Sequence, residues 1–114
     1  MAQLTSTPEF YQLLADRFKA LSEPARVQLL HTLEQGEMAV TELVEATGLG
    51  QANVSKHLRV LHEMGFVRRR KVGLFVHYAL ADRQVMTLCD LMCGRLDRQL
   101  AGQEQLLGSG GMRR

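Results

Sequence analysis

Cys89 and Cys93 are the only cysteines in the 114-residue chain, and their spacing of four sets them one turn apart on a helix. Two thiolates so placed suit a thiophilic ligand: arsenite, a soft metal ion or an oxidant. Both also lie in an apolar run, where a cysteine often serves as a small buried hydrophobe. The sequence leaves sensing and packing open. An in-chain disulfide is disfavoured, because the i, i+4 spacing sits near the outer limit of Cα separation that a disulfide tolerates. The second suggestive set is cationic and polar: Gln51, Asn53, Ser55, Lys56, His57 and Arg59, with no acid before Glu63, followed by Arg68, Arg69, Arg70 and Lys71. An ordinary solvated helix face mixes Glu with Lys. A face of amides, hydroxyls and cations suits phosphates and base edges. Catalysis finds no support, since there is no Gly-rich phosphate loop, nucleophile elbow or pair of carboxylates with a plausible cleft. The four histidines make no metal site by spacing: His57 and His62 point to different faces, and His31 and His77 are remote.

The elements that must carry these residues follow from periodicity. Ser6-Thr7-Pro8-Glu9 reads as a helix start, and Phe10, Leu13, Leu14, Phe18 and Leu21 then keep helical spacing. A second helix restarts at Ser22-Glu23-Pro24, turns Val27, Leu29, Leu30 and Leu33 inward, and ends near Gly36. Residues 37–40 read as a short link. A short helix capped by Thr41 ends at Gly48, and a longer one from Gln51 to Met64 carries Val54, Leu58 and Leu61 as its apolar stripe. Phe66 to Lys71, a Val72-Gly73 turn and Leu74 to Leu80 make a hairpin, with Val76, Tyr78 and Leu80 along one face. A last helix, capped by Asp82, runs to about Gln103. Val85, Leu88, Met92 and Leu96 lie on its broad apolar face, more apolar surface than a small domain needs to cover, which points to a homodimer paired about a two-fold axis.

The expected architecture is therefore α+β and mostly helical: a winged helix-turn-helix of about five helices and one β-hairpin wing, dimerising through terminal helices. The expected domain spans residues 8–103, with a flexible N-terminus over 1–7 and a flexible tail over 104–114. Gln51, Asn53 and Ser55 are expected at base edges. Lys56, His57 and Arg59 are assigned mainly to phosphates, and Arg68 to Lys71 to phosphates or a minor groove. Net charge is only +2, but residues 51–80 hold six Lys/Arg against one acid, while the rest of the chain holds eight against eleven. A basic head on an acidic body is the electrostatic footprint of a DNA binder. A winged helix used for protein contact is the competing class. No apolar stretch is long enough for a membrane span and no secretory signal is evident, and two cysteines without a signal favour the reducing cytoplasm.

Two segments, LSEPARVQLL (Leu21 to Leu30) and VSKHLRVLHEMGFVRRRKVGLFVHYAL (Val54 to Leu80), resemble the ArsR-type (ArsR/SmtB) winged helix-turn-helix repressors, and the likeness covers roughly Phe10 to Gln99. The resemblance implies a bacterial repressor that dimerises through its terminal helices, binds a double-stranded operator and is released by a signal. It also implies two metal sites that this chain lacks. Metal-sensing members carry paired cysteines where this chain has Ala39 and Thr41. Others bind zinc on paired terminal helices. There Asp82 matches the first ligand, but Gln84, Arg95 and Arg98 occupy the later positions, and two arginines repel a cation. Cys89 and Cys93 remain as the one soft-donor pair for arsenite or a soft metal ion. The alternative is an inducer bound elsewhere, or none.

Overall fold

The computed structural model describes residues 7–107 and divides into two units, residues 1–82 and 83–114. The first unit holds α1 (Pro8–Ala20), α2 (Pro24–Leu33), β1 (Met38–Ala39), α3 (Val40–Thr47), α4 (Gln51–Glu63), β2 (Val67–Val72) and β3 (Phe75–Leu80), and the second holds α5 (Gln84–Leu107). Thr7 starts α1: its Oγ1 accepts the Phe10 amide at 3.1 Å, and Pro8 at the first helical position fixes φ where no amide partner is needed. Tyr11, Leu13, Leu14 and Phe18 of α1 are exposed. The core lies where α2, α3 and α4 meet, and Leu29, Leu30, Leu33, Leu43, Val54, Leu58 and Leu61 are buried there. Each such side chain contributes about 1.5–3 kcal/mol by leaving water, so these residues dominate the stability of the unit.

Within the expected link at residues 37–40, Met38–Ala39 is instead a strand and Val40 already opens α3. β1 pairs antiparallel with β3, Met38 opposite Tyr78 and Ala39 opposite His77, giving a three-stranded sheet in the order β1-β3-β2. Ala39, not Thr41, precedes α3; the Ala39 amide donates to Glu42 Oε1 at 2.7 Å, so the cap is a carboxylate reaching back and not a hydroxyl reaching forward. Between α4 and β2 the Phe66 amide donates to Leu61 O (2.9 Å) and the Gly65 amide to His62 O (3.0 Å). That pair of bonds is a Schellman closure, and it needs the φ of +84° that Gly65 supplies. The closure fixes the angle at which the wing leaves α4.

The hairpin turn is Gly73-Leu74, one residue later than expected, with Val72 opposite Phe75 and Val67 opposite Leu80. Gly73 has φ +62°, the first central position of a tight hairpin turn that favours glycine. Val67, Tyr78 and Leu80 are buried beneath the sheet. In the second unit α5 continues to Leu107, four residues past the expected end at 103. The remaining stretches expected to be flexible, 1–6 and 108–114, lie outside the described residues.

Candidate nucleic-acid interface

α3, the turn through Gly48 to Gly50, and α4 form the helix-turn-helix, and α4 divides cleanly. Val54, His57, Leu58 and Leu61 face the core, while Gln51, Asn53, Ser55, Lys56 and Arg59 are all exposed. β2 continues the cationic surface: after buried Val67, residues Arg68, Arg69, Arg70 and Lys71 are exposed. Pleating alternates them, so Arg68 and Arg70 share one strand face and Arg69 and Lys71 the other. The structure thus presents nine of the ten residues expected at an interface to solvent.

His57 is the exception, and the expectation that it meets a phosphate is corrected. It is 8% exposed, and its Nδ1 accepts Arg26 Nε–H at 3.1 Å. Arg26 also donates from its NH1 group to Ala20 O at 3.2 Å, so one α2 guanidinium ties α4 to the end of α1. Sequence reasoning passed over Arg26; its one signal is a lone cation within the apolar run of α2. Burial first, then the charges of Arg26 and Lys56, hold the His57 imidazole below its usual value near 6.5. Below that value the unfolded chain takes up a proton that the folded chain resists, so stability falls as pH drops. Above it the group is neutral in both states and contributes nothing. The thermal midpoint should therefore fall between about pH 7 and about pH 5. His57→Gln, which keeps an acceptor for Arg26, should lose less over that interval. Equal losses would assign the effect to other groups.

Arg70 is exposed but occupied. Glu37 Oε1 accepts its Nε–H at 2.9 Å, and Glu37 Oε2 accepts its NH2 group at 2.8 Å. His77 Nδ1 lies 3.4 Å from the same carboxylate. The Arg70 hydrogen bonds hold the Glu37 carboxyl below its usual range, and the charges of Arg70, His77 and Arg68 add to this; the same bonds raise Arg70. An exposed pair of this kind is worth little in stability. Its consequence is positional: one of the four wing cations is held against its own chain. Glu37 was missed because the pairing spans 33 residues.

On α5, Cys89 is half-buried and Cys93 exposed, and both are thiols. Leu88, Leu91, Met92 and Leu96 are exposed, and Leu91 was not among the residues expected on that face. Among the described residues no group of three or more His, Cys, Asp or Glu could hold a metal ion. Ala39 is buried in β1 and Thr41 exposed on α3, and neither offers sulfur. Arg95 and Arg98, with Gln99, line a cationic cleft of about 220 Å³ on α5, which does not fit a bound cation. No helix among the described residues is long and apolar enough to cross a membrane.

Residues 23–69 match the family model described as bacterial regulatory protein, arsR family. The chain is 39% identical over 77 residues to the transcriptional repressor SmtB homolog of Synechocystis sp., across 68% of this chain and 58% of that protein. It is 38% identical over 71 residues to a probable mercury resistance operon repressor of Streptomyces lividans, across 62% and 57%. The match thus spans somewhat more than half the length of these relatives. The fold superposes with a TM-score of 0.67 and 32% identity on the homodimeric winged helix-turn-helix DNA-binding domain Mb0332 from Mycobacterium bovis, across 86% of this chain and 85% of that one.

Proposed function

The chain belongs to the bacterial ArsR family of regulatory proteins, and from that membership we propose that it is a homodimeric repressor that binds a two-fold DNA operator and leaves it on a chemical signal. The observation that carries this reading is the division of α4, whose apolar stripe is buried while its acid-free face is wholly exposed beside a basic strand. Gln51, Asn53 and Ser55, near the start of the helix, are placed at base edges in the major groove. Lys56, Arg59, Arg68, Arg69 and Lys71 are placed at phosphates, with Arg59 also able to reach a guanine. A two-fold dimer then reads half-sites about 10 bp apart or a multiple of that spacing. An operator on the chromosome puts this work in the cytoplasm. Regulation of this kind needs no enzyme chemistry.

Salt dependence tests the reading. The wild-type chain should bind duplex DNA with an affinity that falls steeply with salt, and a chain that shows no such dependence is not a DNA binder. Arg69→Ala or Lys71→Ala should weaken binding to every sequence alike and flatten the salt slope by about one unit per lost phosphate contact. Arg70→Ala should change both less, because Glu37 already holds that guanidinium. A loss confined to the specific operator would show that the wing reads sequence and not charge.

The signal we place at Cys89 and Cys93, as a thiophilic species: arsenite, a soft metal ion or an oxidant of thiols. Two features support this. Cys93 is exposed on α5, and neither of the two family metal sites has its full donor set in this chain. The Streptomyces lividans relative's name ties that protein to mercury, the same class of soft ligand. Capture by α5 of both copies at once would alter how the paired helices cross and so move the two α4 helices off successive major grooves.

A further inference from the structure

Turn residues are usually polar or glycine, because a hairpin tip stands in water. Here the tip of the wing is apolar. Leu74 is 91% exposed, Phe75 56% and Val72 38%, and Val72 and Phe75 face each other across the last pair of the ladder. A leucine so exposed is unfavourable in the isolated molecule and marks a surface meant to be covered. What precedes it says by what. Lys71 and Arg70 stand immediately behind the tip on opposite strand faces, with Arg69 and Arg68 one step further back. An apolar tip backed by exposed cations fits a groove with anionic walls.

The reach agrees. β2 leaves the end of α4 and advances about 3.4 Å per residue, so Val72 lies about 17 Å from Val67 along the strand. A major groove and the neighbouring minor groove are centred about half of the 34–36 Å helical turn apart. With α4 in a major groove, a wing of this length is long enough to reach the next minor groove.

Resting on the DNA-binding reading above, we propose that Leu74, backed by Val72 and Phe75, enters that minor groove as an apolar wedge that partly unstacks a base step and bends the duplex. Lys71 and Arg69 then lie against its phosphate wall, while Arg70 stays with Glu37. Wedges of this type favour flexible pyrimidine–purine steps, so the wing adds sequence preference outside the bases that α4 contacts.

The test uses duplexes that the wild-type chain selects from a randomised pool. Leu74→Ser should bind them about tenfold more weakly, with an unchanged salt slope and a smaller bend in circularly permuted fragments. Leu74→Met should restore both affinity and bend. Lys71→Ala should instead lower the slope by about one. The side chain is almost wholly in solvent, so Leu74→Ser should keep the wild-type thermal midpoint. If the wild-type chain selects no duplex at all, the DNA-binding reading fails and the wedge goes with it. If wild type binds while Leu74→Ser matches it in affinity and bend, or differs only in self-association, the wedge alone is overturned.

Discussion

A chain carrying Leu88→Asp and Met92→Asp should sediment as a monomer and bind its operator about 10²–10⁴-fold more weakly than wild type. Leu88, Leu91, Met92 and Leu96 lie on adjoining turns of α5, and Leu91 and Met92 are each 64% exposed. An apolar helix face open to that degree needs a cover, and in a symmetric dimer the cover is the same face of a second chain. Each substitution then enters the interface twice, placing carboxylates near one another in a desolvated seam where like charges cost most. The positions are exposed in the single chain, so the helix itself should persist. The affinity loss follows because one bivalent contact becomes two independent ones, and the second half-site no longer benefits from a high effective concentration. Binding per half-site and its salt slope should be nearly unchanged. A double variant that stays dimeric in sedimentation equilibrium at micromolar concentration would sink the assignment. A wild-type chain that is monomeric there would do so equally.

What the sequence showed and what it hid divide along one physical line. Start and stop signals with helical period placed α2, α3, α4 and most of α5, because caps, glycine stops and an amphipathic stripe are local properties and Leu29, Leu58 or Leu61 must turn inward wherever the helix packs. The wing was legible for the same reason, from alternation and a glycine turn, and only its turn slipped by one residue. Pairings between distant segments were not legible. His57 sits on the flank of the α4 stripe, where period leaves its direction undecided, and a guanidinium 31 residues earlier settles it. Met38 and Ala39 are too few to announce a strand, and they become one because β3 offers an open edge. Arg70 looked like its neighbours in a run of cations until Glu37 was brought against it by that same pairing of β1 with β3. In each case an expectation built on one element missed a partner contributed by another.

Replacing both Cys89 and Cys93 with Ser should leave operator binding intact and abolish its response to arsenite and Cd²⁺. The wild-type complex should weaken by about 5–150-fold on saturation with the effective ligand, the usual range of coupling between two sites. One chain offers two thiols on one α5 face, and among the described residues no third His, Cys, Asp or Glu joins them in a ligand group. A soft ion that needs three or four donors must then draw the second pair from the partner chain across the two-fold axis. Occupancy would thereby report on how the two α5 helices cross, which is what the proposed signal requires. A ligand of a single chain would carry no such information. Linkage gives the sharper check. If arsenite or Cd²⁺ weakens operator binding by some factor, bound operator must weaken capture of that ligand by the same factor. Titrating wild type with and without DNA measures both sides of the cycle. A double Ser variant that responds as wild type does, or a wild-type complex indifferent to arsenite, Cd²⁺ and polysulfide alike, would reduce the two cysteines to packing residues and send the search for the signal elsewhere on the dimer.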